Sequence, residues 1–334
     1  MSDKLMAMRR AQWDDSGTGR PILLAIAGDS AAGKTTLTRG LAGALGAERV
    51  TAICSDDYHR YDREERKSLP FTPLHRDCNY VDILEQHLQL LAAGQPILKP
   101  VYDHSSGAFT RPVLVTPRRF VIVEGLHPLS TPLMRACFDI TVYLEPPESL
   151  RHEWKIRRDT AKRSYTEDQV RAELERREPE AAAFIRPQRE HADMVVQFAP
   201  LSQTPGVDPA SITVPDSILS AMVLLRPTIP HPDLTGILGD DTRSAIHLKL
   251  VRDADGKPVD ALHIHGHGDP ALIRRVEEHI WAELGAGVPM PETLGEVEPG
   301  RSSGPLAVTE LLLLFHLLLG VDEGARGETV TSAV

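Results

Sequence analysis

Gly28-Asp29-Ser30-Ala31-Ala32-Gly33-Lys34-Thr35 is the stretch from which the fold of this chain can be read. It fills every fixed position of the GxxxxGK[ST] pattern. It also stands where the chemistry of that pattern requires, directly after the apolar run Pro21–Ala27 (PILLAIA) and at the opening of a helical stretch, Lys34–Leu45. A continuous apolar run of that kind predicts a strand covered on both faces. Glycines in the turn let successive backbone N–H groups converge on phosphate oxygens, and the helix N-terminus adds partial positive charge. A nucleoside triphosphate is therefore assigned to Gly28, Asp29, Ser30, Ala31, Ala32, Gly33, Lys34, Thr35 and Thr36. Lys34 would reach the β- and γ-phosphates, and the Thr35 hydroxyl would be a ligand of Mg²⁺. A glycine turn that binds nothing fits the ordered strand, loop and helix less well.

Flanking segments extend the pattern. Val50–Cys54, Arg119–Glu124, Ile140–Leu144 and Met194–Phe198 read as further short strands. Helical spacing joins Val81, Leu84, Leu88 and Leu91, and a long helical region covers about 147–184, where Thr166 with Gln169 predicts a capping box. Strands separated by helices pair in parallel through right-handed crossovers. The expected fold class is α/β, with a P-loop kinase-type parallel sheet flanked by helices over residues 21–200. Residues 1–20 read as a polar N-terminal extension and 201–216 as a proline-bearing linker. Residues 217–322 read as a smaller C-terminal α+β domain, with a hairpin turn at Asp253–Pro258 and a helix opened by Asp269-Pro270, and 323–334 as a flexible tail.

Composition narrows the function classes. The 334 residues carry 37 Lys+Arg against 47 Asp+Glu, a net charge of −10, which argues against a surface that tracks nucleic acid. Cys54, Cys78 and Cys137 have no CxxC spacing, so neither a disulfide framework nor a zinc ribbon is expected. The first residues are too polar for a signal peptide. The apolar run Leu306–Leu319 is shorter than the roughly 20 residues of a membrane span and reads as a buried helix. The expectation is a soluble, cytoplasmic protein with no nucleic-acid or membrane partner. His263, His265 and His267 alternate along a strand, and an exposed or interface face accounts for them better than a metal site.

Use of the triphosphate is a separate question. No NKxD tetrapeptide is present to read guanine, and the strand comparable to that of motor ATPases ends in Glu124-Gly125 rather than Asp-Glu. A carboxylate there can hold Mg²⁺ directly or through water. The second strand ends in Ser55-Asp56-Asp57-Tyr58-His59-Arg60-Tyr61-Asp62-Arg63, at the carboxyl edge of the sheet where an acceptor would arrive. Asp56 and Asp57 both lie where a carboxylate would accept the proton of a hydroxyl placed in line with the γ-phosphate. Two basic clusters flank this point, Arg60, Arg63, Arg66 and Lys67 on one side and Lys155, Arg157, Arg158, Lys162 and Arg163 on the other. A phosphorylated acceptor or a cationic lid explains them; Arg157 and Lys162 fit ordinary solvated helix charge.

GDSAAGKTT, SDDYHRYDR, PVYDHSSG, FVIVEGLHPL and WKIRRDTAKR, in that order and closed by PQREHADMVVQF, resemble the phosphoribulokinases found in cyanobacteria and plants, a group within the P-loop kinase family shared with uridine kinase. The resemblance runs from about residue 22 to 200. It implies transfer of the ATP γ-phosphoryl group to ribulose 5-phosphate, giving the bisphosphate used in carbon fixation, with Mg²⁺ as cofactor. By the same resemblance Asp56 matches the general base, Lys34 and Asp159 join it as catalytic residues, and Glu124 matches the metal-associated acid. His59, Arg63, Tyr102, His104, Lys155, Arg158 and Arg163 match the substrate-binding set. A homodimer or higher homo-oligomer is implied as well. One departure matters: plant-type relatives carry a cysteine in the phosphate loop, whereas this chain has Ala32, so the thiol pair with Cys54 is not expected. A uridine or other nucleoside kinase and a non-catalytic ATP-binding regulator are the competing readings.

Overall fold

The computed structural model describes residues 20–163, 165–200, 219–285, 288–298 and 300–327. Strand β1 (Ile22–Gly28) is buried along its whole length, as its unbroken apolar sequence requires. It runs into the glycine turn and helix α1 (Lys34–Leu45). Strand β2 (Val50–Cys54) and helix α2 (Val81–Ala92) follow, then a hairpin of β3 (Ile97–Asp103) and β4 (Ala108–Val115). Strands β5 (Phe120–Gly125) and β6 (Ile140–Leu144) come next, with the short helix α3 (Pro132–Ala136) between them. Helices α4 (Glu148–Arg163) and α5 (Glu167–Glu180) lead to β7 (Met194–Pro200), and the expected Thr166–Gln169 capping box is formed in full at the start of α5.

Strands β2, β5, β1, β6 and β7 pair in parallel in that spatial order. Their carboxyl ends therefore open on one edge, where β1, β2 and β5 deliver the phosphate loop, Asp56 and Glu124. Beyond β7 the sheet does not stop. Strands β8 (Leu219–Leu225), β10 (Pro258–Ile264) and β9 (Ile246–Arg252) continue it antiparallel, making one eight-stranded mixed sheet. Strands of the C-terminal unit expected over 217–322 thus join the central sheet, and the unit keeps apart only a short antiparallel pair, Glu296–Glu298 with Arg301–Ser302. An unpaired β7 would leave a row of free backbone groups, and β8 closes that row from Met194↔Leu225 to Pro200↔Leu219.

One face is covered by Leu37, Leu41 and Leu45 of α1 together with α6 (Pro270–Leu284) and α7 (Gly304–Gly327). Leu311, Leu312 and Leu313 of α7 lie in the same buried cluster as Leu24 and Ile26 of β1, so the two halves share one core. On the other face Leu84, Leu88 and Leu91 of α2 pack on Leu23, Ile53, Val121 and Val123. The expected tail at 323–334 begins as helix, since α7 runs to Gly327; the linker at 201–216 and nearly all of the N-terminal extension lie outside the described residues. No helix among the described residues is long and apolar enough to cross a membrane.

Candidate active site

The phosphate loop is built to present donors. Ala31 (φ 65°) and Gly33 (φ 97°) take the left-handed backbone that turns the chain into α1. The N–H groups of Gly33, Lys34 and Thr35 have no acceptor among the described residues, leaving them aimed out of the helix end. Lys34 Nζ donates to Gly28 O (2.9 Å) and Asp29 O (2.8 Å), which folds the ammonium over the loop with one proton to spare. Thr35 Oγ1 donates to Glu124 Oε1 at 2.8 Å. Hydroxyl and carboxylate oxygens brought together in this way are the donor set a hard divalent cation takes, so the residues present fit both a triphosphate and Mg²⁺. Burial raises the Glu124 pKa, against the pull of Lys34 and the Thr35 hydrogen bond.

The two neighbouring aspartates lie in a single 3₁₀ turn, Ser55–Tyr58. Asp57 turns toward the hairpin, where it pairs with Lys99 and accepts from Tyr102 N (3.0 Å). Asp56 turns into the cleft, and its Oδ1 is buried with no hydrogen-bond partner. Burial is the largest influence on Asp56 and opposes its charge, yet His59, Lys34, His104 and His127 together hold its pKa below the ordinary value. Gly125 makes the turn possible: a Cβ there would meet Ser55 Oγ at 1.9 Å. Lys34, Thr35, Glu124 and Asp56 are therefore one site.

His59, Tyr102 and His104 form a cluster around Asp56, with the His59 ring 4.9 Å from Tyr102 and 6.3 Å from His104. Arg66 lies over the Tyr102 ring and bonds its hydroxyl. Arg63 is spent on backbone, donating to His104 O (2.5 Å) and Ser105 O (3.3 Å), so it braces the hairpin that carries Tyr102 and His104. On α4, Asp159 accepts from Lys155 Nζ (2.8 Å) and Arg158 Nε (2.8 Å), with Arg163 3.4 Å away. Arg158 also reaches Ser30 Oγ of the phosphate loop at 3.3 Å. Burial opposes the Asp159 charge, but Arg158 and Lys155 bring its pKa to about 2; burial, with Arg177 next, lowers Lys155 to about 8. Asp159 thus holds three cations of α4, rather than facing Asp56 as a second acid.

Several contributors escaped the sequence reading. Asn79 Oδ1 lies 2.7 Å from His59 Nδ1, and His127, three residues after Glu124, has a buried Nε2 without a partner. His127 could have been found from its place in FVIVEGLHPL, where residues after the strand end enter the cleft. Asn79 carries one compositional signal, being the chain's sole asparagine.

The sequence model of the Phosphoribulokinase / Uridine kinase family matches residues 23–205, more than half of the chain. The chain belongs to this family. It is 40% identical over 181 residues to the phosphoribulokinase of Synechocystis, covering 54% of each chain. It is 31% identical over 186 residues to the uridine kinase of Oceanobacillus iheyensis, covering 53% of this chain and 86% of that one. The chain spans about half the length of the curated phosphoribulokinases it matches. A solved phosphoribulokinase from Rhodobacter spheroides superposes with a TM-score of 0.56 at 17% identity, covering 81% of this chain and 99% of that one, a likeness of fold. Family membership agrees with the strand, loop and carboxylate arrangement of the site, and the fold likeness, at 81% of this chain, extends beyond the residues that the family model matches.

Proposed function

We propose that this chain is a phosphoribulokinase, transferring the γ-phosphoryl group of ATP to O1 of ribulose 5-phosphate and releasing ribulose 1,5-bisphosphate and ADP, the bisphosphate-forming step of Calvin-cycle carbon fixation. The observation that carries the reading is the buried, unpartnered Asp56 oxygen beside Lys34 in a cleft that also holds Thr35 and Glu124. The 40% identity to the Synechocystis phosphoribulokinase supports the choice of acceptor. The phosphate-loop N–H groups and Lys34 hold the triphosphate, exchanging the Gly28 and Asp29 carbonyls for phosphate oxygens. Held by Thr35 and Glu124, Mg²⁺ would neutralise phosphate charge. Asp56 aligns O1 and takes its proton as the new O–P bond forms and the β,γ-bridging oxygen leaves with ADP. Arg158 and Arg163, organised by Asp159, face the transferring group, and Tyr102, His104 and His59 line the acceptor side. Positioning and charge placement carry the rate.

A uridine or nucleoside kinase is the second reading, favoured by the uridine kinase relative matched over 86% of its length. Its acceptor is uncharged, and the buried, unpartnered Arg60 Nε and the Arg66 guanidinium over Tyr102, both on the acceptor side, speak for a phosphorylated one. The test is product identification by phosphorus NMR after incubation with ATP, Mg²⁺ and either ribulose 5-phosphate or uridine. Ribulose 1,5-bisphosphate is expected. Uridine monophosphate would install the second reading, and ATP binding without either product would make the chain a non-catalytic nucleotide binder. A cytoplasmic location follows from the same reading.

A further inference from the structure

The chain contains a single asparagine in 334 residues, and that side chain is buried against a residue of the acceptor cleft. The backbone brings the two segments together: Arg60 N donates to Cys78 O, Tyr80 N to Tyr58 O, and His59 and Asn79 form an isolated bridge between them. Asn79 Nδ2 donates both of its protons, to Pro73 O and His75 O, each at 2.9 Å. A flipped amide would point its oxygen at two carbonyls, so Oδ1 must face His59, 2.7 Å from Nδ1. His59 Nδ1 therefore carries a proton. Its Nε2 has no partner among the described residues.

We infer that Asn79 is a positioning residue that locks His59 in its Nδ1–H form, so that Nε2 offers a lone pair to a hydroxyl of the acceptor and does not donate to its phosphate. This inference rests on the proposed function for the identity of the acceptor, and it gives His59, which the family resemblance places in the substrate-binding set, a hydroxyl rather than a phosphate to bind. Burial supports it, bringing the His59 pKa to about 4 against the opposing pull of Asp56, so the ring is neutral at physiological pH. The unpartnered Asp56 Oδ1 and the His59 Nε2 lone pair are then two acceptors on residues close enough to interact electrostatically. Phosphate oxygens, being acceptors themselves, complement neither; the O–H groups of a polyol complement both. Placing the acceptor phosphate is left to the arginines.

Imidazole ¹⁵N NMR of the full chain tests the arrangement without any substrate, the His59 signals being identified from their loss in His59→Gln. The expected spectrum has Nδ1 protonated and Nε2 bare from pH 6 to 8. The lone asparagine gives a single side-chain amide pair on ¹⁵N-asparagine labelling, expected to shift in the His59→Gln protein. Asn79→Leu should release the tautomer and raise KM for ribulose 5-phosphate about tenfold, with KM for ATP within about twofold. Asn79→Asp, which keeps the size and stays informative if the leucine variant does not fold, should draw a second proton onto His59 at neutral pH. Imidazolium His59 in the unmodified protein, an unchanged tautomer in Asn79→Leu, or equal losses toward both substrates would each overturn the inference. Inactivity of the unmodified chain toward ribulose 5-phosphate would overturn the proposed function while leaving the tautomer result standing.

Discussion

The two sides of the cleft are prepared differently. On the nucleotide side the charged groups have partners before any phosphate arrives: Lys34 rests on two carbonyls, Thr35 on Glu124, and Lys155, Arg158 and Arg163 on Asp159. On the acceptor side Asp56 Oδ1, Ser55 Oγ, His127 Nε2 and Arg60 Nε are buried and unpartnered. Unmet buried polar atoms cost stability, so leaving several in one place marks where a ligand completes the structure. On the proposed function, the phosphate side would exchange partners on binding, whereas the acceptor side would gain them. Asp56→Asn is the sharpest test of that asymmetry. It keeps the shape, removes the proposed base, and should lower kcat by roughly 10²–10⁴-fold. ATP affinity by calorimetry should stay within about threefold, because Asp56 makes no hydrogen bond to the loop donors. Parallel losses in both quantities would erase the distinction.

Breaking the paired side should instead show in stability. Asp159 is buried and is the shared partner of three cations. Asp159→Asn leaves Lys155, itself buried, without a counter-charge, and removal of one partner from such a group costs on the order of 3 kcal/mol or more. Urea unfolding of the ligand-free protein should report that loss, and saturating ATP should restore part of it as phosphate oxygens take over the cations. Restoration by ribulose 5-phosphate alone would assign these cations to the acceptor instead.

The same division explains what was legible in the sequence. The phosphate loop, α1, β2, β6 and the Thr166–Gln169 box are encoded by neighbours within a few residues, and their limits agree with the structure. The acceptor side is assembled from afar. His59 meets Asn79 across 20 positions and Asp57 meets Lys99 across 42, so nothing local distinguishes Asp56 from Asp57. The β3–β4 hairpin was hidden for a related reason: β4 is exposed along nearly its whole length and shows no buried alternation, and a register shift lies at Lys99/Val101. The single continuous sheet was hidden because strand partners are a long-range property, whereas the proline-rich composition of 201–216 is a local one.

Behind the nucleotide side, the C-terminal half contributes a buried carboxyl of its own. Glu310 of α7 is fully buried against α1, where a Cβ on Gly40 would meet its Oε1 at 1.8 Å. Its Oε2 accepts from Gly295 N at 2.7 Å, and burial raises its pKa to about 8. With the folded pKa raised, the native state keeps a proton that the unfolded chain has lost. Stability therefore falls as pH rises between about 4.5 and about 8, by at most about 1 kcal/mol per pH unit. Glu310→Gln should flatten that slope in urea midpoints measured from pH 5 to 8.5. An unchanged slope would mean that α7 leaves α1 free to admit water at this point, and that the two halves are less tightly joined than their shared core indicates.

The smallest effect is expected at Cys54, which lies at the boundary between the two sides, in register with Glu124 at the end of β2. Burial is the main cause of a thiol pKa well above the ordinary range, and Asp56 and Glu124 add to it. Little thiolate is present at neutral pH, so attack on an oxidant or a disulfide is slow. The phosphate loop offers no second thiol, because Ala32 fills its place and is itself fully buried. Cys78 and Cys137 are raised by burial too. Turnover after equilibration with oxidised or reduced dithiothreitol should therefore agree within about twofold, and Cys54→Ser should behave like the unmodified chain. A reversible loss of tenfold or more on oxidation would require a thiol to reach the cleft from elsewhere in the chain or from a second copy, and the acceptor side would then be open to a partner that its buried, unpaired atoms do not anticipate.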